Sequence, residues 1–220
     1  MRIFTALLNL LFPPKCVFCK KLLHSTEFDW CDNCTEALPY TEFERKLSGD
    51  YFDYCIAPLY YKGAARDSLI RFKFRNAPIY AEAFGKMLSE CIKEHSRSIP
   101  DFDIITWVPL SAKRKKQRGY DQAELLAKAT AAQLERSAAE VLIKPLDCRP
   151  QSELSGASDR RANIDGAFDI IDSDFVKNKV ILLIDDIITT GATLSECAKI
   201  LREAGASKVI CACMCMRESE

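Results

Sequence analysis

The chain has 220 residues, enough for one full α/β domain and a small module, and 48% of them are hydrophobic, which supports a real core. Lys plus Arg and Asp plus Glu balance at 31 each, so there is no overall field to drive the protein onto nucleic acid or a membrane, and any such binding must come from a local patch. Eleven cysteines, an odd number, exclude a complete disulfide framework; with no secretion signal they read as metal ligands and buried thiols in a reducing, cytoplasmic setting.

Residues 1–12 are apolar through Leu7, Leu8, Leu10, Leu11 and Phe12 but lack a small-residue cleavage site and are far too short to span a bilayer. A helix docked on the body is expected there, rather than a signal peptide or a membrane span. Cys16-x-x-Cys19 and Cys31-x-x-Cys34 follow, eleven residues apart. Two such thiolate pairs supply a tetrahedron suited to zinc, and four protein ligands leave no open position, so the site reads as structural. His24 lies in the gap and is the alternative to one thiolate. Neither pair joins a strand to a helix as a redox Cys-x-x-Cys would.

Residues 36–51 form a polar connection, and Tyr54 to Tyr61 reads as a strand. Gly63 to Phe74 sets Arg66, Arg71 and Lys73, with Arg75 just beyond, among Leu69, Ile70, Phe72 and Phe74. That pattern fits an amphipathic helix with a solvated basic edge, although aromatic and basic alternation also suits single-stranded nucleic acid. Tyr80, Phe84, Met87, Leu88 and Cys91 mark the core face of another helix. A strand from Asp103 to Val108 leads into a basic loop, Lys113-Arg114-Lys115-Lys116-Gln117-Arg118. At the end of a strand such a loop can meet pyrophosphate or a DNA backbone, the plain alternative being a solvated charge run. A helix from Asp121 to about Glu135 opens with Asp121 and Glu124 spaced as a capping box. Strands are expected at Val141–Ile143, Phe168–Ile171 and Lys208–Met214, with a long polar stretch between Arg149 and Gly166; Cys211, Cys213 and Cys215 alternate and should pack on one face.

Val180 to Thr193 carries the chemistry. Val180–Ile184 is a short apolar run of the kind buried on both faces of a parallel sheet, and it ends in Asp185 and Asp186. Open α/β sheets place ligands just past the carboxyl end of such a strand. The loop Thr189-Thr190-Gly191-Ala192-Thr193 offers backbone N–H groups, hydroxyls and a glycine that permits close approach, and the helix that follows turns its positive end to the loop. Acids at one end and anion donors at the other suit a sugar phosphate, with hydroxyls or Mg²⁺ on the carboxylates.

This strand, acid pair and Thr-Thr-Gly-x-Thr loop resemble the phosphoribosyl pyrophosphate (PRPP) motif of type I phosphoribosyltransferases. The resemblance implies that Asp185 and Asp186 hold the ribose hydroxyls and that Thr189, Thr190, Gly191, Ala192 and Thr193 wrap the 5-phosphate. Together with the leucine-rich opening, the cysteine pairs, Arg118-Gly119-Tyr120-Asp121-Gln122 and the Arg160 to Phe168 segment, nearly the whole chain resembles the ComF family of bacterial competence proteins. That family often shows Phe-Asn where this chain has Tyr120-Asp121. The implied organisation is α/β: an N-terminal helix and structural four-cysteine zinc module over residues 1–50, and a phosphoribosyltransferase-like parallel-sheet domain over residues 51–220. The implied role is natural transformation, with PRPP and Mg²⁺, single-stranded DNA and other competence proteins as partners. Arg118 and Arg160 are then candidates to meet charge on the pyrophosphate. A nucleobase salvage transferase and a non-catalytic DNA-binding scaffold with a regulatory sugar-phosphate pocket are the competing expectations.

Overall fold

A computed structural model describes residues 13–23, 29–42, 47–75, 77–145 and 167–218. The leucine-rich opening, His24 and the polar stretch with Arg160 lie outside the described residues. Two long strands, β6 (Val180–Ile188) and β7 (Lys208–Met216), form the middle of a parallel sheet. The short strand β3 (Ile104–Trp107) pairs with the outer side of β6, while β1 (Tyr54–Ile56) and β2 (Leu59–Tyr60) share the outer side of β7. Ile181 to Ile184 are fully buried, as a strand covered on both faces requires.

One face is covered by α2 (Gly63–Phe74), α3 (Tyr80–Glu94) and α5 (Gln122–Gln133), which pack with Leu182, Ile184, Ile210 and Ala212. The opposite face meets α7 (Ala192–Glu203) and a small antiparallel pair, β4 (Leu142–Ile143) with β5 (Asp169–Ile170), followed by the single turn α6 (Ser173–Val176). Within the described residues no helix is long and apolar enough to cross a membrane.

Several expectations are corrected. The acid pair lies inside β6 rather than past its end, because β7 continues to pair with β6 as far as Ile188 opposite Met216. The apolar Ile187 and Ile188 that follow the acids keep the strand going. The stretch from Tyr54 to Tyr61 is broken at Ala57-Pro58, since proline has no N–H to give to a ladder. The three alternating cysteines do not share a face. Cys211 and Cys213 point toward α7, whereas Met214 and Cys215 both lie with the opposite cluster. The alternation slips by one residue there, level with the absent pairing partner of Asp186.

The basic stretch is a helix, α4 (Ala112–Arg118), not a loop. The Ser111 hydroxyl caps its start by accepting from the Arg114 N–H, and Gly119, with φ of 84°, ends it in the left-handed conformation. Asp121 does cap α5, its carboxylate accepting from the N–H groups of Ala123 and Glu124. Glu124 does not complete a reciprocal box, because its carboxylate pairs with Lys115 and Lys128, each at 2.7 Å.

Gly85 lets α3 approach α5 closely: a Cβ there would sit 2.6 Å from the Ala129 methyl and 2.8 Å from the Thr130 backbone nitrogen. Gly→Ala inside a helix ordinarily gains about 1 kcal/mol, whereas overpacking against backbone costs roughly 1–3 kcal/mol. Because the contacts include backbone atoms, Ala129 C at 2.7 Å and Thr130 N at 2.8 Å, the upper part of that range applies and the clash outweighs the gain. Gly85→Ala is expected to lower stability by about 1–2 kcal/mol in urea titration, and an unchanged midpoint would show that the helices can separate at little cost.

Candidate functional site

The four cysteines converge before any larger site is considered. Cys16 opens a turn, and Cys31 and Cys34 straddle the start of the short helix α1 (Asp32–Ala37). Their four sulfurs lie within 4.8 Å of one another, with Cys16 3.6 Å from Cys34 and Cys19 3.5 Å from Cys31. A zinc ion bonded to four sulfurs at ~2.3 Å sets sulfur–sulfur edges of ~3.8 Å, so the donor set fits. Burial opposes ionisation of Cys16, but the backbone N–H groups of Cys19, Cys31 and Phe18 outweigh it and bring the thiol down to about 7. These are the groups that would stabilise a metal-bound thiolate. All ten described cysteines are free thiols, and the other six are buried.

This module is clamped to the main domain by α2. The Ser68 hydroxyl donates to the Val17 carbonyl at 2.6 Å, and the Arg71 guanidinium donates to the carbonyls of Val17 and Phe18 at 2.8 and 2.6 Å. Phe18 packs with Trp30 and Phe84 in the core. Two residues beyond Arg71 along the same helix, Lys73 reaches a different place.

That place is a cleft of about 270 Å³ at the carboxyl ends of β3 and β6, lined among others by Lys73, Arg114, Arg118, Asp185, Asp186 and Thr193. It exists because β3 stops at Trp107, opposite Ile184, while β6 runs on with no strand among the described residues paired to that side. Successive residues of a strand point to opposite faces, so Asp186 turns toward α2 and Asp185 toward α7. The Lys73 ammonium donates to both Asp186 carboxylate oxygens, at 2.8 and 2.7 Å. Asp185 accepts from the N–H of Asp186 at 2.7 Å. Burial, and then the adjacent Asp186 charge, push Asp185 up to about 8.

Beyond the acids, Thr189 and Thr190 are exposed and Gly191 takes a φ of 76°, which only glycine adopts without strain. Gly191 caps α7 without a side chain; the Ala192 N–H donates to the Thr190 hydroxyl at 3.4 Å, and the N–H groups that follow in this twelve-residue helix are left directed at the loop. Thr189 and Thr193 border the cleft itself, while Thr190, Gly191 and Ala192 line an adjoining depression that also includes Asp185. The loop therefore offers an anion seat, and the acids beside it can take hydroxyls or Mg²⁺.

The helical form of the basic stretch divides its charges. Arg114 and Arg118, four residues apart, line the cleft; Lys115 is paired with Glu124; Lys113 and Lys116 are exposed. Arg118 donates to the Gln122 side chain at 2.8 Å and lies 4.8 Å from the centre of the exposed Phe74 ring. The Tyr120 hydroxyl donates to the Phe72 carbonyl and accepts from the Ala77 N–H, which ties this segment to the end of α2. Asp121 spends its carboxylate on the N–H groups of Leu110, Ala123 and Glu124. Both residues that depart from the family pattern thus have structural partners.

The structure brings Arg118, the acid pair and the threonine loop together, and Arg160 lies outside the described residues. Sequence reasoning did not place Lys73, Lys144 or Phe168 at the cleft, yet all three line it, with the Lys144 ammonium 4.3 Å from the Phe168 ring centre. No spacing rule links Lys73 to Asp186 across 113 positions. A lysine within an otherwise amphipathic helix was the available signal.

Residues 123–220 match the phosphoribosyl transferase domain family, and residues 7–45 match the double zinc ribbon domain family. Competence protein F of Haemophilus influenzae is 28% identical over 209 residues, spanning 88% of this chain and 86% of that protein. Competence protein ComFC of Streptococcus pneumoniae is 32% identical over 68% of this chain, which spans 62% of that relative's length. The DNA utilization protein YhgH of Salmonella typhi is 28% identical, over 66% of this chain and 64% of its own.

The four-thiol cluster has a direct test. Elemental analysis should find a single zinc ion in the purified protein and little in a Cys31→Ser variant, and chelation should loosen residues around Cys16 to Cys34 before the sheet unfolds. A fully folded, metal-free parent would overturn this.

Proposed function

Since this chain belongs to the ComF family and carries a phosphoribosyltransferase domain, we propose that it binds PRPP with Mg²⁺ and acts in natural transformation, handling incoming single-stranded DNA in the cytoplasm beside other competence proteins. The observation that carries the PRPP reading is the cleft in which the acid pair and the hydroxyl-glycine loop meet under Lys73, Arg114, Arg118 and Lys144. A sugar phosphate needs that polarity.

In this reading Asp185 and Asp186 take the ribose hydroxyls or the Mg²⁺ that arrives with PRPP, and Thr189 to Thr193 take the 5-phosphate. Arg114 and Arg118 face the pyrophosphate. In transfer, an N–H nucleophile displaces pyrophosphate at the anomeric carbon: the C1–N bond forms as the C1–O bond breaks, the electron pair leaves with pyrophosphate, and the nitrogen gives up its proton to the leaving group or to solvent. Mg²⁺ would supply further charge neutralisation at the leaving group. The two arginines, held by α4 before the reaction begins, need no reorganisation to stabilise that charge. DNA handling draws on a separate feature, the outer face of α4 with Lys113 and Lys116 exposed.

Two variants test the separate halves. Asp185→Asn with Asp186→Asn keeps the shape of both side chains; losing a charge-assisted contact costs about 1.5–3 kcal/mol, so Mg²⁺–PRPP affinity should fall by roughly two decades or more in calorimetry. Undiminished binding would remove the pocket assignment. Lys113→Ala with Lys116→Ala should weaken single-stranded DNA binding and flatten its salt dependence by about two ionic contacts, whereas an unchanged slope would move the DNA to another surface. Pyrophosphate release that depends on an added nucleobase and ignores DNA would favour a salvage enzyme instead.

A further inference from the structure

The Lys73–Asp186 pair does not resemble a core ion pair. Asp186 is only 4% exposed, but the Lys73 side chain is 25% exposed and lines the cleft. Its ammonium reaches both Asp186 oxygens, at 2.8 and 2.7 Å, as one charge-assisted pair. Its backbone is fixed from several sides. Arg71 is bonded to the cysteine module, Tyr120 to the Phe72 carbonyl, and the Gln122 amide to the Lys73 carbonyl at 3.4 Å. What remains mobile is a four-carbon stem ending in a compact charge whose donors rotate.

We propose that Lys73 is a tethered counter-ion, which guards Asp186 against free divalent cations and moves to an anionic oxygen of the incoming ligand when that ligand delivers its own metal. This rests on the cleft being a Mg²⁺–PRPP site. Both Asp186 oxygens are occupied by the ammonium, so a cation that approaches this carboxylate must displace it and meets its repulsion. A metal that arrives with a polyphosphate brings the lysine a replacement partner in the same cleft. Because the Coulomb gain of a partly buried pair is largely offset by its desolvation, the exchange is close to balanced. Metal and polyphosphate therefore bind cooperatively, each removing a cost that the other would meet alone. The anchoring of α2 on the Val17 and Phe18 carbonyls sets the reach of the lysine, which gives the cysteine module a part in shaping the cleft.

The test compares the full-length parent with Lys73→Met, using Mn²⁺ alone and then inorganic pyrophosphate at saturating Mn²⁺, by calorimetry and by the shift in melting temperature. Lys73→Met should bind Mn²⁺ alone roughly ten- to a hundredfold more tightly than the parent, the change expected when a charge-assisted competitor is removed. It should also bind pyrophosphate more weakly than the parent does. Unchanged or weaker Mn²⁺ binding in the variant would overturn the proposal. If Lys73→Met does not fold, Lys73→Gln carries the same expectation with a smaller gain. A parent that fails to bind PRPP counts against the proposed function, while the Mn²⁺ comparison still decides the role of Lys73.

Discussion

The arrangement of the cleft depends on the unequal pairing of one strand. On one side β6 follows β7 for its full length; on the other it is abandoned by β3 after Ile184. Had β3 continued, Asp185 and Asp186 would be enclosed by a third strand and its covering helix, and two carboxylates there would require a large desolvation cost or neutralisation. Because it stops, both acids line a cleft, Asp186 covered there by the Lys73 ammonium, while their backbone stays bonded to the neighbouring strand. The slip in facing direction at the same level, visible in Met214 and Cys215, turns the apolar residues back into the core beyond the acids.

Helix α2 joins parts that lie far apart in sequence. Its middle holds the carbonyls between Cys16 and Cys19, and its last turn places Lys73 on Asp186. Phe72, between them, packs edge-on against Phe84 and beside Tyr120. A single rigid element thus spans the cysteine cluster, the core and the cleft. The module is therefore part of the same packed body as the sheet, sharing its larger apolar cluster through Phe18 and Val17.

Charge in the basic helix is divided by helical geometry. Six polar residues in a row look equivalent in a linear sequence, but Arg114 and Arg118 share one face and turn inward, Lys115 meets an acid on α5, and Lys113 and Lys116 remain outside. One segment can then serve a small anion in the cleft and a polyanion on the surface, with different residues committed to each.

Much of this was legible from residues alone, because the relevant physics is local. Two Cys-x-x-Cys pairs fix the ligand chemistry of a knuckle within a few residues, an unbroken apolar run needs a sheet covered on both sides, and a Thr-Thr-Gly-x-Thr loop before an amphipathic stretch announces a helix start. The threonine loop and the acids were read that way as candidates, and Arg118 was a candidate through the family resemblance; the structure places all of them along one cleft. Tertiary structure decided the rest. Where β6 ends is set by how far β7 accompanies it, not by the polarity of two aspartates; whether residues 112–118 coil or wind depends on the Ser111 cap and the Gly119 stop acting together; and Lys73 enters the cleft only because Arg71 and Tyr120 dock its helix against segments more than forty residues away. Such contacts leave no period in the sequence. They arise when separate elements, each correct by itself, are packed into one core.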